Sequence, residues 1–420
     1  MTDAPRQTPT SDSTHDETAG TSRWQVTLWA MVGIQFIMTM SFSFLSPIMP
    51  LFLPELGVHT EAGIDLWSGI LNGSTSFVAA FTSPLWGRLA DRYGRKPMLI
   101  RSSCAIAVFT AFMGLSLTVW QFFAARALMG VFAGFSSTAM ALVASQVPEQ
   151  RLGYALGWLS TGQLVGSLVG PVIGGLLADV TGSYRIPFYC TSAVTFAAVF
   201  LVWRGVHERF VRPGAHRRRS GLRGLALMIG AAGVLPLFFV LFMAQFGTRA
   251  VQPLVTVFVQ ELLGPRPDLA TLGGLAFSVT GLAGMVAVPL LGKHSDEIGY
   301  RRVLLICLVG ATLTSLPQAF VGSYWVFVVE RFGVGLFIGA IVPTANALIG
   351  RMVDRANRGT VYGMTASATF LGNSLGPLTG GAIAASFGLR WVFLITAALL
   401  LANLIWVYLT VPELKDRNAQ

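Results

Sequence analysis

The sequence predicts an all-α membrane protein, with twelve transmembrane helices in two pseudo-symmetric six-helix bundles. Three observations predict it. Of the 420 residues, 53% are hydrophobic and 11% charged, whereas soluble domains carry roughly 25% charged residues. The apolar residues collect into runs of about twenty, the length of a helix crossing a bilayer. Landmark residues then recur at one offset between the two halves of the chain.

In chain order, residues 1–22 are rich in Thr, Ser, Asp and Pro and read as a disordered tail. They lack the basic start and short apolar core of a secretory signal, so the first apolar run is read as a retained span. Backbone in lipid must satisfy its own polar groups, so each apolar run should be helical. Twelve such runs lie near 24–52, 66–87, 97–117, 119–142, 153–179, 186–207, 226–260, 270–292, 301–321, 323–349, 359–386 and 389–411. The stretch VRPGAHRRRSGLRG falls between the sixth and seventh and reads as a linker. The division is therefore a first six-helix bundle over 23–208, a cytoplasmic linker over 209–224, a second bundle over 225–412 and a tail over 413–420.

Lys and Arg set the orientation. One side holds Arg88, Arg92, Arg95, Lys96, Arg101, Arg151, the run Arg204 to Arg223, Lys293, Arg301, Arg302, Arg351, Arg355 and Arg358. The other holds only Arg185, Arg266 and Arg390, with Glu55, Glu61 and Asp65. Both termini and the basic loops are expected in the cytoplasm. The net charge of +10 is spread over these short loops, which argues against nucleic-acid binding. Cys104, Cys190 and Cys307 are scattered in apolar runs, and the five histidines form no cluster. Neither a disulfide framework nor a metal site is expected.

Asp91 and Asp296 are 205 residues apart, as are Arg126 and Arg331. GPVIGG at Gly170 and GPLTGG at Gly376 are separated by 206, and so are Pro47 and Pro253, and Glu55 and Glu261. Internal duplication is typical of transporters, with the ligand site at the repeat interface near the midplane.

The motif GRLADRYGRKP closes the second span and opens the third; GKHSDEIGYRR repeats it from Gly292. Gly87 and Gly94 suit a tight turn, and Arg92, Arg95 and Lys96 hold the loop inside. Asp91 is not needed for topology. Its carboxylate can bridge to the arginines or meet a helix N-terminus, so the loop reads as a gate, with Asp296 in the second copy. In the fifth span Gly162, Gly166, Gly170 and Gly174 share one helix face beside Gly175, and Pro171 can kink the helix. Small residues at that spacing let helices approach closely. Arg126 lies about seven residues inside the fourth span; a charge at that depth usually faces the bundle interior. Glu330 is the clearest carboxylate inside a span and a candidate proton carrier, or a static partner of a nearby arginine; Asp65, at the mouth of the second span, is in reserve. Amides and apolar rings on several spans suit a roomy pocket with few orienting polar groups. The candidates are Gln35, Phe42, Asn72, Phe77, Gln245, Arg249, Asn346 and Asn373.

The motif between spans two and three resembles the signature of the major facilitator superfamily, and the likeness extends over all twelve spans. It implies an alternating-access carrier whose loop locks the outward-facing state. Glu297 and Tyr300 depart from the pattern in the second copy, where the latch is expected to be weaker. G-P-x-x-G-G and Arg126 resemble motifs of the drug–proton antiporter group, which implies export and a part for Arg126 in proton coupling. WSGI, WQFFAARALMG and ALGWLSTG resemble the MdtG-like multidrug resistance exporters of that group. The expectation is proton-driven export of varied toxic amphiphiles by a monomer in the cytoplasmic (inner) membrane, with no cofactor. Cation-preferring members often place an acid in the first span; none stands here, so Arg249 points to neutral, zwitterionic or acidic substrates. A single-metabolite carrier, for a sugar for example, is the nearest alternative; a membrane sensor or enzyme fits less well.

Overall fold

The computed structural model describes residues 12–148, 151–206, 208, 234–352 and 358–411. The linker 209–224 and the tail 413–420 lie outside the described residues, as do residues 1–11. The helices are α1 (Asp12–Phe44), α2 (Met49–Phe52), α3 (Glu61–Tyr93), α4 (Arg95–Leu115), α5 (Val119–Val131), α6 (Phe135–Gln146), α7 (Leu152–Thr181) and α8 (Ile186–Gly205). They continue with α9 (Val234–Val251), α10 (Val255–Leu263), α11 (Leu269–Ile298), α12 (Tyr300–Ser315), α13 (Tyr324–Met352), α14 (Arg358–Phe387) and α15 (Leu389–Thr410). Because α1 begins at Asp12, the tail predicted as disordered over 1–22 is helical from that residue.

Among the described residues, ten helical stretches are long and apolar enough to cross a membrane. α3 and α14 have 33 and 30 residues but many Ser, Thr, Gly and Asn. Three predicted spans are broken helices. The first stops at Phe44 and resumes at Met49, and the seventh turns through Gln252–Leu254. Pro47 and Pro253 each remove a backbone donor there. The fourth breaks between α5 and α6, where Gly134 has φ +116°.

Packing repeats along the chain. α1 lies against α7, α3 against α5 and α4 against α8; likewise α9 lies against α14, α11 against α13 and α12 against α15. Glycines set the closest pairs. A Cβ at Gly166, Gly170 or Gly174 would press on the α1 backbone at Phe36, Met40 or Phe44. At Gly372, Gly376 and Gly380 it would press on α9 at Phe242, Phe246 and Ala250. The glycine face read from the sequence thus binds two helices into one unit, twice.

The tight turns of the two charged motifs also match. Gly94, between α3 and α4, and Gly299, between α11 and α12, both have φ +94°. A side chain in that region costs about 1–3 kcal/mol. Arg95 and Lys96 donate their backbone N–H groups to the Glu208 carboxylate at 2.7–2.8 Å, and Lys96 Nζ donates to the Trp203 carbonyl at 2.7 Å. Glu208 therefore caps α4 and fastens the loop to the end of α8. Arg92 is exposed beside Tyr93. The surroundings of Gly87 and the side chains of Asp91 and Asp296 lie outside the described residues.

Three buried apolar clusters form the core. One, at the end opposite the charged motifs, joins residues from both halves of the chain, including Phe52, Phe122 and Phe188 with Phe258, Phe327 and Phe393. The other two lie toward the motif end and stay apart: Leu28 to Val206 in one, Leu237 to Val411 in the other.

Candidate functional site

The division of the core locates the site. At the end where both halves share a cluster, α3 meets α14 and α7 meets α11 backbone to backbone. A Cβ at Gly69 would overlap the Pro377 carbonyl, and one at Gly274 the Pro171 carbonyl. Gly175 is turned to Ala270, and Gly381 to Asp65 and Gly69. Residues four apart share a helix face, so the same stripes can be followed toward the motif end. Below Gly69 and Gly73 stand Phe77, 46% exposed, and Phe81, 71% exposed. Below Leu168 stands Leu164, below Ser278 stands Leu282, and below Ser374 stands Phe370; all three are exposed. The helices touch at one end and diverge at the other, leaving a largely apolar cleft open at the basic end.

Three ion pairs stand at the closed end. Glu55 pairs with Arg185 at 3.3 Å, Glu261 with Arg390 at 3.4 Å, and Asp268 with Arg266 at 2.6 Å. The first two pairs are related by the sequence duplication. They are partly exposed, so each contributes little, about 0–1 kcal/mol.

Inside, the arginines lack carboxylate partners among the described residues. Arg126 is buried; its Nε donates to the Leu71 carbonyl at 3.0 Å, and its guanidinium lies 5.8 Å from the Phe42 ring centroid. This is the carbonyl-tied arrangement of a buried cation, and it joins α5 to α3. Arg331 is buried as well, beside Thr248, Gln318 and Thr396, and its Nε has no hydrogen-bond partner. Arg249 donates from Nε to Asn373 Oδ1 at 2.9 Å and from Nη1 to Gln252 Oε1 at 2.5 Å. It occupies the position that Ser43 holds in the first half, 206 residues earlier. The cation is thus held by two neutral amides.

The structure gathers the predicted pocket residues only in part. Arg249, Asn373 and Gln252 form one cluster, and the Gln245 Cβ packs at Gly372 one turn away. Phe77 lines the diverging stripe, and Phe42 stands beside Arg126. Gln35 does not belong with them: it is 1% exposed and donates to Thr39 and Ser136, tying α1 to α6. Asn72 donates to the Ser68 carbonyl of its own helix. Asn346 lies in the last third of α13, toward the basic end. Glu330, expected to be buried, is only half-buried, with exposed Val326 one turn away; no ion pair joins it to an arginine among the described residues. Its Oε2 is nevertheless buried and has no hydrogen-bond partner.

Asp65 is the better-enclosed carboxyl. It precedes the apolar run 66–87 at the closed end, is 5% exposed, and its Oδ1 has no hydrogen-bond partner. Burial, then Glu61 and Glu261, push its pKa up to about 7. The neutral form therefore fits the closed end. Above pH 7 closure buries a charge, and that penalty fades as pH falls through 7. Acidifying the bath at that end from pH 8 to 6 is expected to slow thiol labelling of a Ser374→Cys reporter, and Asp65→Asn to remove the pH dependence. A slope unchanged by Asp65→Asn would refute this assignment.

Sequence reasoning missed Asp179 and Glu208. Each is a carboxylate bonded to the first turn of another helix. Asp179 left a signal, because an acid in the last turn of a helix opposes that helix's own dipole. Among the described residues there is no cluster of three or more His, Cys, Asp or Glu fit for a metal.

Comparison with known proteins adds to this geometry. The sequence matches the Major Facilitator Superfamily over residues 31–273 and 237–420. It is 37% identical over 371 residues to the multidrug resistance protein MdtG of Salmonella dublin, covering 88% of this chain and 92% of the relative. To MdtG of Yersinia enterocolitica it is 38% identical over 373 residues, covering 89% and 90%. Among solved structures, the nucleoside transporter NupG superposes with a TM-score of 0.73 at 14% identity, covering 91% of this chain and 98% of that one. A bacterial homolog of the human lysosomal transporter Spinster, inward-facing and occupied, gives 0.74 at 16%, covering 91% and 96%. At such identities the structural likeness concerns the fold alone.

Proposed function

The chain belongs to the Major Facilitator Superfamily, and on that premise we propose that it exports varied toxic amphiphiles in exchange for protons by alternating access. It is an integral membrane transporter whose full-length relatives are multidrug resistance proteins. In this reading α3 and α14 also cross the membrane. Small polar residues lower their hydropathy, and several of them, Ser68, Ser74, Thr75, Thr365 and Ser374, are buried against other helices. That gives twelve spans in two six-helix bundles, 23–208 and 225–412, which rock about the cleft. The repeated helix pairings and the paired Gly94 and Gly299 turns support this division. The positive-inside pattern supports a cytoplasmic-membrane protein with cytoplasmic termini and basic loops, acting as a monomer.

The observation that carries the reading is the divided core. A shared cluster closes one end while two separate clusters leave the other open, as expected of a carrier stopped in its inward-facing state. Asp91 and Asp296, in the last turns of α3 and α11, would stabilise the opposite state. Arg126, with Asp65 and Glu330 as carboxyl candidates, would couple the proton to the cycle. Arg249 and its amides would orient a polar or acidic group while apolar walls take the rest of the substrate. The apolar stripes favour amphiphiles over sugars.

Proteoliposomes holding the purified protein, given an imposed pH gradient and a panel of acidic, neutral and cationic amphiphiles, test this. Flux of several chemically unrelated compounds should follow the gradient and cease when it is collapsed. Flux indifferent to the gradient would refute proton coupling; transport of one metabolite alone would refute the multidrug reading.

A further inference from the structure

The two contacts that close the cleft are built alike but fastened differently. Each sets a glycine against a proline carbonyl: Gly274 against Pro171, and Gly69 against Pro377. On the α7–α11 side a carboxylate is added. Asp179, in the last turn of α7, accepts from the backbone N–H groups of Ala270 and Thr271 at 3.3 and 2.7 Å and from Thr271 Oγ1 at 2.6 Å. These are the first residues of α11, whose own N-cap, Asp268, makes no side-chain cap bond. The α7 carboxylate thus does for α11 what a cap normally does from within the chain.

The duplication supplies an internal control. The position matching Asp179, 206 residues later, is Ala385, and the position matching Thr271, 205 residues earlier as Gly69 is to Gly274, is Leu66. On the α3–α14 side no carboxylate caps a helix among the described residues, and α3 is capped locally by Thr60, which accepts from Gly63 N–H. The bonds of Asp179 are therefore not a by-product of the shared architecture. They join two helices that must separate if this end is to open, and they combine an ionised acceptor with free N–H groups at the positive end of a helix dipole.

We propose that Asp179 is the positioning residue that latches the outer end of the transporter shut. The proposal rests on the alternating-access reading above. Its bonds form only when α7 and α11 are together, so they stabilise the inward-facing state and must break before substrate can leave outward. Removing them shifts the resting population toward the outward-open state.

The test reads exposure from each side, without substrate or pH gradient, so its result is independent of whether transport is proton-coupled. Ser278, 6% exposed and bonded to the Leu168 carbonyl just below the latch, reports the outer side as Ser278→Cys. Leu164, 46% exposed, reports the cytoplasmic side as Leu164→Cys. Each is labelled with a membrane-impermeant maleimide in sealed vesicles of defined sidedness, and the native cysteines give the background. Asp179→Ala should speed outer labelling about tenfold and slow cytoplasmic labelling. Asp179→Asn, which keeps one acceptor oxygen, and Thr271→Val, which removes one donor, should shift both rates the same way by less. A merely structural role would raise both rates together. That outcome, or unchanged rates in properly folded Asp179→Ala, would overturn the latch.

Discussion

Replacing Gly175 by valine is expected to leave a folded protein that exports almost nothing. The Gly175 Cα faces the Ala270 carbonyl across the α7–α11 closure, where even a Cβ overlaps backbone. Backbone on both sides cannot give way as a flexible side chain would. Overpacking of this kind costs about 1–3 kcal/mol, and two further methyl carbons put valine at the upper end of that range. Each 1.4 kcal/mol is a factor of about ten in population, so the closed state should fall roughly a hundredfold. Only the contact between the halves is affected, so each half can still fold. Gly174 is the control, since its Cβ would press on the Phe44 carbonyl of α1 within one half. Gly174→Val should reduce the yield of folded protein instead. Chromatographic homogeneity, thermal stability and efflux in proteoliposomes separate the two results. Normal efflux by Gly175→Val would mean that the closed end is not part of the cycle.

Arg249→Gln should change which compounds are exported rather than whether export occurs. The guanidinium is held by Asn373 and Gln252, both neutral, and so presents an uncompensated positive charge near mid-membrane. A charge there is costly and persists where it serves a ligand or pathway. Glutamine keeps hydrogen bonding and removes the charge. Export of acidic amphiphiles should fall about 10–100-fold, the range of a lost charge-assisted contact, chiefly through a raised KM. Cationic dyes should be exported as well as before or better. An equal loss for every compound would make Arg249 a structural residue, and wild-type export confined to cations would contradict the predicted preference.

Much of this was legible from residues four apart and 205 or 206 apart. Gly166, Gly170 and Gly174 lie on one helix face by spacing alone, and the structure supplies the partner, α1. Pro47 and Pro253 mark the breaks in the first and seventh predicted spans because a missing donor has the same effect wherever it falls. Polar residues were harder to read. Gln35 and Arg249 look equally out of place in an apolar run. One donates to hydroxyls on its own helix and on α6, the other is held by two amides, and spacing along a single helix cannot distinguish them. Glu330 shows the same limit: its place inside a span does not say how far it is enclosed, and in the fold it is half-buried with one oxygen, Oε2, buried and unpartnered.

The sequence by itself determined the membrane-crossing helices, the duplication and the glycine faces, because these depend on local hydropathy, backbone freedom and helical period. The tertiary structure alone decided which end is closed and which carboxylate fastens it. Asp179 meets the start of α11 from 91 residues away in the chain, and an electrostatic contact of that kind exists only after two helices have been brought together.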